Sequence, residues 1–142
     1  PDYGAAPTVQ VVLGAQAGEF GDTWLQTQFS VMPQSDRMGM RLAGAPLKRT
    51  QGGDLLSSAV APGTVQVPPD GQPIVLLADA QTIGGYPQLA HVISVDMPLL
   101  AQVRPGDTVR FSEVTLAEAH ELVLTREHAL AMLREGLAGK IC

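Results

Sequence analysis

The sequence predicts a mainly β domain of short strands closed by one C-terminal helix. Three observations support this. The chain has 142 residues, about one domain's length, and its 45% apolar content is enough to bury a core. It has Gly 15 and Pro 11 but only 4% aromatics, a composition suited to many tight turns. Finally, apolar residues alternate in short runs between turn signals up to about residue 114, after which the period becomes helical.

The elements follow in order. "TVQVVLG" reads as a strand ending at Gly14, and "GEFGDTWLQTQF" spaces Phe20, Trp24, Leu25 and Phe29 for a short amphipathic helix despite Gly21. "FSVMPQSDRMGMRLAG" reads as two strands bent at "PQSD", where Pro33 interrupts the ladder and Ser35 and Asp36 favour a turn. Ala45 to Ala59 lacks clean periodicity and reads as loop. "TVQVPPDG" is a strand entering a turn, with Pro69 presetting φ and Gly71 suiting the last position of a type I turn. "PIVLLA" is continuously apolar, as a strand buried on both faces should be, and "AHVISV" is the next strand. "RPGD" suits a type II turn before "TVRFSEV", which places Val109 and Phe111 on one face. Thr115 and Glu118 form a capping box, and the helix after them should stop at Gly136 and Gly139.

Charge and motifs narrow the function. Net charge is -5, and Lys48-Arg49 is the largest basic cluster, which argues against nucleic acid or an anionic membrane as partner. No apolar run reaches the roughly 18 residues of a membrane span, and Cys142 is the single cysteine, so a cytoplasmic protein is expected. His91, His120 and His128 lack metal-ligand spacing, and Cys142 has no neighbouring base. There is no P-loop, G-x-S-x-G or dinucleotide fingerprint. Since the chain begins at Pro1, it reads as a processed or partial product.

Two stretches combine polarity with backbone freedom. In "RMGMR", Arg37 and Arg41 flank Gly39 on one strand face, where two guanidinium forks could clamp a carboxylate or phosphate or could pair with surface acids. In "QVPPDGQPIVLLADAQTIGGYP", Asp79, Gln81, Thr82, Gly84, Gly85 and Tyr86 crowd the far end of a buried strand. Asp79 could cap its own loop or present a carboxylate. Gly84 and Gly85 could form a tight turn or, at positive φ, an anion-binding nest with Tyr86 as wall or donor. Spacing leaves scaffold and site equally open.

"SDRMGMRL", "PGTVQVPPDGQPIVLLADAQTIGGYP" and "HVISVDMPLLAQVRPGDTVRF" together resemble the allophanate hydrolase subunit 2 family, also described as KipA-like biotin-dependent carboxyltransferases, which includes the C subunit of 5-oxoprolinase. The likeness runs from about Val9 to about Glu121. It departs at Ser57-Ser58-Ala59, where many members have Ser-Glu-Gly, and at Ile83, where they have Thr. The resemblance implies a single cyclophilin-like β-barrel over residues 1–142, the C-terminal half of a longer two-domain subunit. It also implies a KipI-like partner, which is allophanate hydrolase subunit 1 or the B subunit of 5-oxoprolinase, together with the chain's own N-terminal half.

The function the resemblance implies is that of one member of an ATP-dependent amidohydrolase complex, foremost 5-oxoprolinase, which opens the 5-oxoproline lactam to glutamate. The alternatives are carboxyl transfer from carboxybiotin to urea or a similar amide, and a non-catalytic regulator that sequesters a KipI-like kinase inhibitor. ATP or biotin would then sit elsewhere in the complex, with no cofactor held by this chain. The resemblance also turns the second stretch toward a substrate site. Asp79 and Gln81 would meet an amide, the Gly84-Gly85 N–H groups an anionic oxygen, and Arg37 or Arg41 a carboxylate.

Overall fold

The computed structural model describes residues 7–33, 35, 38–50, 58–78 and 83–141. Seven strands close into a barrel: β1 (Thr8–Leu13), β2 (Phe29–Val31), β3 (Gly39–Ala43), β5 (Thr64–Gln66), β6 (Ile74–Leu76), β8 (Gln88–Val92) and β9 (Thr108–Glu113). Around the wall the order is β1-β8-β5-β6-β3-β2-β9. A parallel pairing of β1 with β9, Val9 opposite Phe111, closes the ring, and the other barrel pairings are antiparallel. Two further short strands, β4 (Ser58–Ala59) and β7 (Ile83–Gly84), pair with each other as a separate ribbon.

Alternation builds the core. Val9 and Val11 on β1, Met40 and Leu42 on β3, and Val109 and Phe111 on β9 all point inward and are buried. Phe111 lies at the centre of an aromatic cluster, edge-on to Trp24 at 5.8 Å between ring centroids and tilted against Phe29 at 5.7 Å. On β8 the alternation is broken by a register shift between Val65 and Gln66 of β5, which pair with Ala90 and Gln88 respectively. Leu89 is the extra residue, so Leu89 and Ala90 are both fully buried although adjacent in sequence. The bulge thereby brings Gln88 opposite Gln66.

The expected strands up to Leu13, at 29–31 and 39–43, from Thr64 and at 108–113 are present, and the turns expected at 68–71 and 104–107 form, whereas the bend expected at "PQSD" includes Gln34 and Asp36, which lie outside the described residues. Gly71 N–H donates to the Pro68 carbonyl at 2.9 Å, and Asp107 N–H to the Arg104 carbonyl at 2.9 Å, with Gly106 at the positive φ a type II turn needs. Four expectations need correction. The Phe20 to Phe29 segment is not one amphipathic helix but two 3₁₀ turns, Ala17–Glu19 and Thr23–Gln26, because Gly21 adopts φ +70 and Phe29 already belongs to β2. The loop from 45 to 59 ends in β4. The strand read as "AHVISV" starts earlier, at Gln88, and stops at Val92; Ser94–Asp96 is a 3₁₀ turn running into the short helix α1 (Met97–Ala101), which has Pro at its first turn.

The fourth correction concerns the C-terminal helix α2 (Leu116–Ile141), which runs through Gly136 and Gly139. A helical glycine costs only about 1 kcal/mol, which lowers stability without forcing a stop. The helix begins as expected, with Glu118 N–H donating to Thr115 Oγ1 at 3.1 Å. Its first turns dock Ala119 and Leu122 against Ile93, Val114 and Val12 on the outside of the barrel. Farther along, Leu124, Leu130 and Met132 are exposed. Among the described residues no helix is long and apolar enough to cross a membrane.

Candidate functional site

At the barrel end where β5 finishes, three segments converge around a cleft of about 680 Å³. The first is the turn after β5, contributing Val67, Pro68 and Pro69. The second joins β7 to β8 and supplies Gly85, Tyr86 and Pro87. The third is the loop after β3, which brings Leu47, Lys48 and Arg49, with Phe20 beneath. Val67 N–H donates to the Pro87 carbonyl at 3.0 Å, tying the first two walls together.

The third wall is held by a turn that only glycine fits. Leu47 N–H donates to the Gly71 carbonyl at 2.9 Å, and Gly71 has φ +79. A Cβ on Gly71 would stand 2.7 Å from the Leu47 carbonyl oxygen, closer than real side chains approach. The far end of the same loop is pinned by Glu19, whose Oε1 accepts from Arg49 Nε at 2.8 Å while its carbonyl accepts from Thr50 N–H and Oγ1. Glu19 thus directs the Arg49 guanidinium, and Lys48 is exposed beside it at the rim. Buried Phe20 and Leu47 give the floor an apolar surface, whereas Tyr86, 44% exposed, lines the opening. Such a cleft suits a small molecule with an apolar edge and a negative group.

The residues singled out from sequence separate into three groups. Gly85 and Tyr86 line this cleft. Gly84 lies next to them in β7, paired with Ser58; its φ is outside the left-handed range, so a nest built on positive φ at Gly84 does not form. Arg41 is exposed on β3 and opens onto a different hollow of about 500 Å³, shared with Met32, Asp70 and Gln72. It therefore does not meet Gly85 and Tyr86. Arg37, Asp79, Gln81 and Thr82 lie outside the described residues.

Lys48, Arg49, Phe20 and Leu47 escaped sequence reasoning as site residues. "PLKRT" carried a signal, an apolar residue beside two cations in a stretch without periodicity, but nothing local says that this loop folds back on the turn at Gly71.

A second polar group occupies the outer wall of β5 and β8. Thr64 and Gln66 are buried although they point away from the core residues Val65 and Val67, because the β4–β7 ribbon lies near them. Thr64 Oγ1 lies 3.3 Å from His91 Nδ1, and burial lowers the His91 pKa below its ordinary 6.5. Gln88 Nε2 donates to the Ala59 carbonyl of the ribbon at 3.3 Å.

Comparison with known proteins places this architecture. The family model described as carboxyltransferase domain, subdomain A and B, matches residues 1–113. The chain is 48% identical over 111 residues to the C subunit of 5-oxoprolinase from Haemophilus influenzae, covering 78% of this chain and 36% of that protein. It is 49% identical over 98 residues to the corresponding 5-oxoprolinase component of Escherichia coli, covering 69% and 32% respectively. The chain therefore spans about a third of the length of these relatives. Among solved structures, the Kluyveromyces lactis urea amidolyase superposes with a TM-score of 0.81 over 88% of this chain and 8% of that one, at 21% identity, a likeness of fold. With most of its length matched by the family model and close sequence relatives carrying the same segment, the chain belongs to the carboxyltransferase domain, subdomain A and B, family.

Proposed function

We propose that this chain forms one side of a small-amide or lactam site in the C subunit of an ATP-dependent 5-oxoprolinase. The observation that carries the reading is the cleft itself, where Gly85 and Tyr86 stand across an apolar floor from the cationic rim of Lys48 and Arg49. The ligand 5-oxoproline matches this on chemical grounds. Its ring methylenes suit the surfaces of Phe20, Leu47 and the prolines, and its carboxylate suits Lys48, with Arg49 adding positive potential while held by Glu19. The names of the curated relatives support the same substrate.

In this reading Asp79, Gln81 and Thr82, which precede β7 in sequence, act on the ligand amide, and a KipI-like partner protein covers the open side. ATP is assigned in this reading to another part of the complex, since the sequence carries no P-loop motif. The chain's own residues bind and orient the lactam, and the nucleotide chemistry belongs to other members of the complex. A second reading, carboxyl transfer from carboxybiotin to a urea-like acceptor, is supported by the family match. A biotin carrier would then be a separate domain, since none of Met32, Met38, Met40, Met97 and Met132 flanks a lysine.

The test is turnover of 5-oxoproline with ATP by the reconstituted complex. Lys48→Ala should raise KM about tenfold, the effect of losing one charge-assisted hydrogen bond. Because Arg41 opens on another hollow, Arg41→Lys should leave KM unchanged, whereas Asp79→Ala and Gln81→Ala should each weaken binding. Full turnover with this protein omitted would overturn the proposal. Turnover of urea and carboxybiotin, with none of 5-oxoproline, would favour the second reading.

A further inference from the structure

The side-chain carbonyl Oε1 of Gln66 is fully buried and has no hydrogen-bond donor among the described residues. Gln66 as a whole is only 9% exposed, so its amide oxygen has given up water without a replacement. Buried acceptors in native proteins are nearly always satisfied, and one left unmet in an otherwise well-bonded wall points to a donor that arrives from outside.

Its position indicates where. Gln66 directly precedes the cleft wall Val67–Pro69, and Gly84 directly precedes the opposite wall, Gly85 and Tyr86. A Cβ on Gly84 would stand 2.9 Å from Gln66 Oε1 and 3.3 Å from Val60 Cγ1, so the ribbon crosses close over the amide. Among the described residues two paired positions, Ser58 with Gly84 and Ala59 with Ile83, join the two strands of that ribbon over the oxygen. Gln88, opposite Gln66, donates from Nε2 to the Ala59 carbonyl, and Gln66 Oε1 remains without a donor among the described residues.

We propose that Gln66 Oε1 is a ligand acceptor: when the β4–β7 ribbon lifts at the back of the cleft, the oxygen takes a hydrogen bond from the N–H of a small amide, lactam or urea. Gln66 then decides between ligands by their donor. A carbonyl acceptor rewards an N–H and rejects an N-alkyl group or ring oxygen, which would leave the buried oxygen unmet. This inference rests on reading the cleft as an amide or lactam site.

The experiment is calorimetric binding of 5-oxoproline and N-methyl-5-oxoproline to the assembled complex containing the full-length protein. The unmodified complex should bind the N–H lactam at least tenfold more tightly than its N-methyl derivative. Gln66→Leu should abolish that preference by weakening the N–H ligand alone. Its thermal midpoint should stay level or rise, because an unmet buried acceptor has been removed. Gln66→Met, which also lacks the carbonyl, serves if the leucine variant does not fold. Equal affinities in the unmodified complex, or a preference retained in both variants, would overturn the role of Gln66 while leaving the lactam reading intact. Failure of the unmodified complex to bind either ligand would overturn both.

Discussion

Replacing Gly71 with alanine tests how the cleft is shaped, and Gly106→Ala supplies its control. Both glycines have strongly positive φ, +79 and +94, so alanine costs about 1–2 kcal/mol at either position from backbone conformation alone. Their surroundings differ. A Cβ on Gly106 meets nothing within 4 Å, but one on Gly71 would lie 2.7 Å from the Leu47 carbonyl oxygen and 3.0 Å from its nitrogen. These are backbone atoms, which cannot rotate aside, so the loop must move. Overpacking of this kind costs about 1–3 kcal/mol, and loss of the Leu47 N–H bond to the Gly71 carbonyl adds about 1 kcal/mol. Gly71→Ala should therefore cost about 3–6 kcal/mol against about 1–2 kcal/mol for Gly106→Ala. Urea unfolding followed by fluorescence of Trp24, the single tryptophan and a buried one, provides the assay. With a slope of about 1–3 kcal/mol per molar urea, the two midpoints should differ by roughly 1 M. Gly71→Ala should also weaken ligand binding, because Leu47 and Lys48 move with the displaced loop. Equal midpoints for the two variants would refute the contact between the turn and the loop.

Two further outcomes are expected. Phe111→Ala, which empties a site between Trp24 and Phe29 in the barrel core, should cost about 3–5 kcal/mol in the same urea titration; a loss below about 1 kcal/mol would mean that this cluster does not organise the core. His91 has its pKa lowered by burial, so the unfolded chain binds the proton more readily than the folded one; stability should fall as pH drops through about 6.5 and level off below the folded pKa. His91→Gln should remove that part of the pH dependence, and an unaltered profile between about pH 7 and pH 5 would contradict the assignment.

Local structure is legible in the residues wherever one residue type dictates a conformation. The turns at Pro69-Asp70-Gly71 and Pro105-Gly106 were legible because proline presets φ and glycine alone takes positive φ readily. The alternation through Val9, Val11, Val109 and Phe111 declared strands because period 2 is a backbone property. The start of α2 was legible because the Thr115 side chain meets an N–H only three residues away. Where the sequence misled, local preference had competition or none: Gly21 interrupted a helical spacing, and Gly136 and Gly139 proved too weak to end a helix. Tertiary structure decided everything that depends on distant partners. Closure by pairing β1 with β9 joins segments about a hundred residues apart. Only the folded chain shows that Lys48 and Arg49 face Gly85 and Tyr86 while Arg41 opens elsewhere, since strand order round the barrel, not sequence proximity, sets which side chains share a cleft. Gln66 makes the same point most sharply. Its alternation in "TVQV" predicts an outward side chain that water could satisfy, and only the β4–β7 ribbon crossing above it turns an ordinary surface amide into a buried, unmet acceptor.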